Sequence, residues 1–187
     1  MKHHFILDVE ATSRTPMTGV MTEFALAHLE SDSTFYAHLY AAHPHPDIPA
    51  LPVVETDEGG NPVEDIWFAL DGKTPHPHRP LSFNGLVDAL ERWIADIAKG
   101  EGRPVLVSDN NGFDAMWLNC WTDGVSQKLL LGHSSRRIGD FYAGVCGKWG
   151  DHSSWKRLRR TKHTHHPLDD AVGNREALQT ILKIEER

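Results

Sequence analysis

Phe5-Ile6-Leu7-Asp8-Val9-Glu10-Ala11-Thr12 is the stretch on which the reading of this chain turns. Phe5, Ile6, Leu7 and Val9 form the apolar, partly β-branched run of a strand covered on both faces. Asp8 and Glu10 interrupt it two residues apart, and because strand side chains alternate, both carboxylates belong to one face. Two anions held that close repel each other, and a hard divalent cation with a preference for oxygen ligands relieves them. The plainer reading ends the strand at Asp8 and leaves both acids in water. What the rest of the chain supplies decides between the two.

Working outward, Val20 to Leu29 and Thr34 to Tyr40 read as two further strands joined by the polar turn Glu30-Ser31-Asp32-Ser33. Phe24, Leu26 and His28 alternate with Ala25, Ala27 and Leu29, so the two faces differ more in bulk than in polarity. With the first strand these runs predict an antiparallel meander at the start of a mixed sheet. Residues 41–80 hold eight of the eleven prolines, which predicts a long Pro/His-rich loop, with Ile66-Trp67-Phe68-Ala69-Leu70 as a short helix or strand inside it. The His-Pro repeats in that loop read as solvated rather than as a metal site.

From Asn84 the recurrence becomes helical, with Leu86, Val87, Leu90, Trp93, Ile94 and Ile97 on one face and Gly100 ending the helix. Pro104 to Ser108 is another buried strand. A second helix carries Phe113, Met116, Trp117, Cys120 and Trp121, which puts Asp114 in a first turn just beyond a strand end. Leu129-Leu130-Leu131 reads as a short buried element, and Phe141 to Val145 as the start of a short helix. The last helix opens at Pro167, a residue favoured in a first helical turn.

The chain of 187 residues suits one domain, residues 1–187, with a core that needs no disulfide. Two cysteines, Cys120 and Cys146, give neither a disulfide framework nor a zinc pattern. Met-Lys-His-His opens the chain without a signal-peptide pattern, and no apolar run is long enough to cross a bilayer, so a cytoplasmic protein without a membrane partner is expected. The net charge of −7 excludes a protein that coats nucleic acid non-specifically, though not a nuclease that confines its basic residues to one patch. Thirteen histidines are scattered from His3 to His166 and read mostly as surface residues.

Three pieces line up: Asp8-x-Glu10 in a strand, Asp114 at a strand-to-helix corner, and His165-His166-Pro167-Leu168-Asp169-Asp170 opening a helix. Strand ends and helix starts are where open α/β sheets place their sites. Helical geometry separates the two adjacent acids: Asp169 shares its stripe with Gly173, Glu176, Thr180 and Lys183, whereas Asp170 lies with Asn174, Ala177 and Ile181 beside the buried face. Asp170 is therefore the expected ligand and Asp169 a solvated first-turn acid. His166, directly before proline, is held extended and positions the turn.

In this order, with Asn110-x-x-Phe113-Asp114 and with His165 five residues before Asp170, the chain resembles the DEDDh exonucleases from end to end. The run Ala171-Val172-x-Asn174-x-Glu176-Ala177-Leu178 is similar to the closing helix of that family. Ala11 stands where many members have Thr, and the loop at 41–80 is longer than in the minimal members. The resemblance implies an α/β, RNase H-like fold: a mixed central sheet, antiparallel in its first three strands and then parallel, flanked by helices. It implies two Mg²⁺ or Mn²⁺ ions held by Asp8, Glu10, Asp114 and Asp170, with His165 as general base and His163 as the weaker candidate. Single-stranded RNA or DNA would be shortened from its 3′ end to nucleoside 5′-monophosphates. Contacts to the substrate would come from Glu10, Ala11, Thr12 and Phe113, and a homodimer is a further expectation.

The basic run Lys156, Arg157, Arg159, Arg160 and Lys162 reads either as a phosphate-binding patch, with Trp149 or Trp155 stacking a base, or as a solvated loop. Trp93, Trp117 and Trp121 lie on apolar helix faces and read as core. Two other functions fit the same residues. One is a catalytically inactive RNase H-like module that binds nucleic acid or protein, and the other is a zinc site at His163-x-His165-His166.

Overall fold

β1, His3–Ala11, is the central strand of a six-stranded mixed sheet. The computed structural model describes residues 3–39 and 83–185, together with 66–69; of 66–69, 184 and 185 only the backbone is described. β2, Met21–His28, and β3, Thr34–Leu39, continue antiparallel from β1, and β4, Ile66–Ala69, adds an antiparallel edge. β5, Pro104–Ser108, pairs parallel with β1 on its other side, and β6, Ser135–Arg137, pairs parallel with β5. The sheet order is β4-β3-β2-β1-β5-β6, the antiparallel-then-parallel sheet expected from the sequence. The remainder of the 41–80 loop, with its His-Pro repeats, lies outside the described residues.

Helices cover both faces. α1, Phe83–Ala98, and α2, Asn111–Ser126, pack on the face that carries Phe5, Leu7, Val9, Phe24, Leu26 and Phe35. α3, Ile138–Val145, and α4, Pro167–Glu185, pack on the face of Ile6, Ala25, Ala27 and Val107, with Trp155 fully buried among them. The difference in bulk across β2 now has its reason: Ala25 and Ala27 let α4 approach the sheet closely, while the phenylalanines fill the wider space under α1 and α2. Among the described residues no helix is long and apolar enough to cross a membrane.

Several local expectations change. Leu129-Leu130-Leu131 forms a turn in which only Leu131 is buried and Leu129 is exposed. β6 is a three-residue strand, Ser-Arg-Arg, too short and polar to show a period. α3 begins at Ile138, three residues ahead of the predicted Phe141. Lys156, Arg157 and Leu158 lie in a short 3₁₀ helix, Ser154–Leu158, rather than in a loop.

Candidate metal and catalytic site

On β1, Ile6, Asp8 and Glu10 share the face that α4 covers. Ile6 packs in the core, and two residues further Asp8 faces Ala25 across the β1–β2 pair, where a small side chain leaves room. Glu10 lies opposite Glu23, and the register then slips, Ala11 pairing with Met21. α4 crosses this end of the sheet with its first turn, so Asp170 descends onto the same spot. One carboxylate oxygen each from Asp8, Glu10 and Asp170 lies within 4.8 Å of the others.

This is the crowding that the sequence implied, and its electrostatic consequence is large. Burial, and then the charges of Asp114, Asp170 and Glu10, push the Asp8 carboxyl up to about 9. Glu10 is raised as well, by burial first and also by Asp170 and Glu23, against the lowering effect of His165. Asp170 is 1% exposed, and its Oδ2 is buried without a hydrogen-bond donor. Three crowded carboxylates, one with a buried oxygen that His163 Nδ1 approaches to 2.7 Å outside hydrogen-bond geometry, fit a hard cation with oxygen ligands.

Asp114, the fourth acid of the predicted set, borders the trio rather than joining it within 4.8 Å. It is buried in the first turn of α2, and its Oδ2 accepts the backbone N–H of Asn110 at 3.1 Å. Burial pushes its carboxyl up to about 7, against hydrogen bonds from Asn110, Ser108 and Val9 that favour the ionised form. Its charge is the largest single carboxylate influence on Asp8, yet it does not join the trio at 4.8 Å. It borders the site from the α2 side.

The histidines divide the rim between them. His163 Nδ1 is 2.7 Å from Asp170 Oδ2, whereas His165 Nδ1 is 3.9 Å from Glu10 Oε1 and its side chain is 78% exposed. Their rings meet edge to face with centroids 4.2 Å apart. His165 has φ +59, a left-handed conformation uncommon outside glycine, which turns the chain ahead of His166 and Pro167. His166 stacks on Tyr36, whose hydroxyl donates to Glu23. The three histidines thus face three different partners, and the zinc reading of His163-x-His165-His166 finds no common centre among the described residues.

Asp169 does more than the solvated acid expected of it: it is half-buried and accepts the Thr164 hydroxyl, while Asp170 Oδ1 accepts the Thr164 N–H. Both acids staple the histidine loop to α4.

A scan against protein-family models matches none along this chain, and a search of curated proteins returns no match.

The basic run is partly spent inside the protein. Arg159 is nearly buried, bonded to Asn174, 3.8 Å from Asp109 and stacked over Trp155. Lys156 pairs with Asp109 at 2.5 Å and Arg157 reaches the Tyr142 hydroxyl. Glu176 clasps the backbone N–H groups of Arg160 and Thr161, both at 2.8 Å. Gly173 makes this possible, because a Cβ there would meet Thr161 O at 3.0 Å and Arg159 Cδ at 3.3 Å. The Arg160 side chain stays exposed, and with Lys156, Arg159, Thr161, Lys162 and His163 it lines a recess of about 240 Å³ beside the site.

Of the two tryptophans considered for stacking a base, Trp155 is fully buried and cannot serve, whereas Trp149 is 88% exposed. Ala11 and Phe113 are half-buried against the α1–α2 core, and Thr12 is tied through its hydroxyl to Val20 N at 3.0 Å. Glu23 and Tyr36 escaped the sequence reading. The signal for Glu23 was its place opposite Glu10, which needs the strand register.

Proposed function

We propose that this chain is a divalent-metal-dependent 3′-to-5′ exonuclease acting on single-stranded RNA or DNA. The observation that carries the reading is the convergence of Asp8 and Glu10 of β1 with Asp170 of α4 within 4.8 Å, with buried Asp114 alongside. Burial, and then the neighbouring carboxylate charges, raise Asp8 to about 9, and such shifts cluster at functional sites.

Asp8, Glu10 and Asp170 would hold Mg²⁺ or Mn²⁺, with Asp114 supporting a second ion from the α2 side. Bound there, such ions would supply Lewis-acid stabilisation of the charge that builds up in an in-line displacement at phosphorus. The chain's own groups do the rest. His165, exposed at the rim, takes the proton of the attacking water. Water oxygen bonds to phosphorus, the P–O3′ bond of the preceding nucleotide breaks, and the terminal residue leaves as a nucleoside 5′-monophosphate. Glu10, beside the trio and partly open to solvent, is placed to meet the terminal 3′ hydroxyl.

The test is hydrolysis of 5′-labelled single-stranded RNA and DNA with Mg²⁺, Mn²⁺ or EDTA, by the wild type and by Asp8→Asn. A ladder shortening from the 3′ end, dependent on metal and lost in Asp8→Asn, is expected. No cleavage with any metal overturns the reading in favour of a binding module.

A further inference from the structure

The recess beside the carboxylate trio is lined by Lys156, Arg159, Arg160, Thr161, Lys162 and His163. Four of these six side chains are cations at neutral pH, in a protein whose net charge is −7. Two carboxylates answer them. Asp109 meets Lys156 at 2.5 Å and Arg159 at 3.8 Å, and Glu176 lies 3.6 Å from Arg160 Nε. Lys162 is exposed and makes no ion pair among the described residues. The recess therefore keeps an excess of positive charge, and such a concentration attracts an anion.

Its walls are anchored. Arg159 is fixed by Asn174 and the face of Trp155, and Glu176 accepts the backbone N–H groups of Arg160 and Thr161. Asn174 and Glu176 both belong to α4, the helix that carries Asp170, so one element sets the positions of the trio and of the recess. The Arg160 side chain itself is 80% exposed and free to meet a ligand. A backbone already ordered leaves less entropy to lose on binding. The side chains of the rim also give a direction. Glu10 Oε1 lies 3.9 Å from His165 Nδ1, the His165 and His163 rings meet at 4.2 Å between centroids, and His163 both approaches Asp170 and walls the recess. The line runs from Glu10 across the two rings to the cations at 160 and 162. A strand whose terminal 3′ hydroxyl meets Glu10, with its scissile phosphate over the trio, carries its next phosphate towards that recess.

We propose that this recess is the subsite for the phosphodiester one nucleotide upstream of the scissile bond, with Arg160 and Lys162 as its direct contacts; the proposal rests on the exonuclease reading for the direction of the strand. The Arg160 guanidinium offers planar N–H donors to phosphate oxygens, and Lys162 adds a point charge on a long stem. Lys156 and Arg159, already paired with Asp109, contribute field rather than contact. Phosphate contacts fix the register of a strand without reading its bases, so the subsite sets how the 3′ end is delivered and leaves base choice open. It also supplies the local positive charge that an acidic protein needs to hold a polyanion against its own carboxylates.

The experiment measures, by fluorescence anisotropy, the binding of 5′-labelled single strands to full-length Asp8→Asn protein with and without Arg160→Gln and Lys162→Gln together. The strands are all-phosphodiester, or carry one uncharged methylphosphonate at the second or at the fifth linkage from the 3′ end. The second-linkage substitution should weaken binding by roughly tenfold or more, as loss of a charge-assisted contact does, and the fifth should not. The double variant should bind the native strand as weakly, ignore the second-linkage substitution, and show a salt slope shallower by about 0.7 for the one phosphate released. Equal sensitivity at both linkages, a double variant that keeps the second-linkage preference, or no binding of any strand would overturn the subsite. Cleavage of the same strands by the wild-type protein is scored separately. Cleavage without a second-linkage effect on binding sinks the subsite alone, whereas a second-linkage effect without cleavage under any metal supports the subsite and sinks the exonuclease reading.

Discussion

His163 Nδ1 sits 2.7 Å from Asp170 Oδ2, a buried oxygen that no properly oriented donor satisfies. The histidine that family-like spacing selects, His165, is instead exposed and 3.9 Å from Glu10. In the reaction proposed above, contact with a carboxylate and freedom to meet a water are different jobs, and the two rings suit one each.

His165→Ala is accordingly expected to lower kcat by about 10²- to 10⁴-fold, the usual contribution of a general base, with little change in the metal concentration needed. His163→Ala should raise that metal concentration and leave a larger share of kcat. Single-turnover hydrolysis across a Mn²⁺ series distinguishes them. The opposite pattern would make His163 the base.

The metal-free fold should weaken as pH rises. Asp8 holds its proton up to about 9 and Asp114 up to about 7, whereas both carboxyls of the unfolded chain ionise near 3.8. A raised folded-state pKa gives stability that is fully present below the unfolded pKa and lost as pH climbs through the folded one. The window therefore runs from about pH 4 to about pH 9. In EDTA the melting temperature should fall across it, Asp8→Asn should flatten the fall, and Mn²⁺ should raise the melting temperature more at alkaline than at acidic pH. A flat profile in EDTA would mean that the trio is less crowded than its geometry indicates.

Most of the sheet was legible because β1, β2, β3 and β5 are long enough, or apolar enough, to show their pattern against Gly, Pro and Ser punctuation. β6 was not, since three polar residues have no period and their pairing with Leu106 to Ser108 is a tertiary fact. The trio was half legible. The i, i+2 rule places Asp8 and Glu10 on one face and the helical stripe selects Asp170, but only the packing of α4 brings them together. Asp114 entered the set by its place at a strand-to-helix corner, and the Asn110 N–H that its Oδ2 accepts is a local detail that spacing does not encode. The basic run was only partly legible. Charge density reads as a surface patch, while Arg159 is anchored inside by Trp155 and Asn174.

Gly139 tests the support under that anchor. A Cβ on this α3 residue would lie 2.4 Å from the His152 carbonyl oxygen, and that oxygen accepts the Trp155 indole N–H at 3.0 Å. Gly139→Ala gains up to about 1 kcal/mol in helix propensity, but it must displace the backbone at 152 and loosen a fully buried tryptophan. Overpacking of this kind costs about 1–3 kcal/mol. A net loss of stability is expected in urea unfolding, with a change in tryptophan fluorescence. A more stable variant would show that the 152 turn yields freely.

Arg159 is the last case, because it links the scaffold to the site. Its positive charge lowers Asp8 against the other influences on it, while its guanidinium bonds Asn174, faces Asp109 and covers Trp155. Arg159→Met keeps the volume and removes the charge. It leaves the buried Asn174 oxygen without its donor, which costs about 1–3 kcal/mol. It also makes Asp8 harder to ionise, so under the proposed function more divalent cation should be needed for half-maximal activity. Arg159→Lys restores charge without the planar fork that serves Asn174 and the indole face together. It should recover the metal requirement more fully than the stability. If Lys restored stability and left the metal requirement high, the role of Arg159 would be packing alone, and the charge on Asp8 would be balanced from elsewhere.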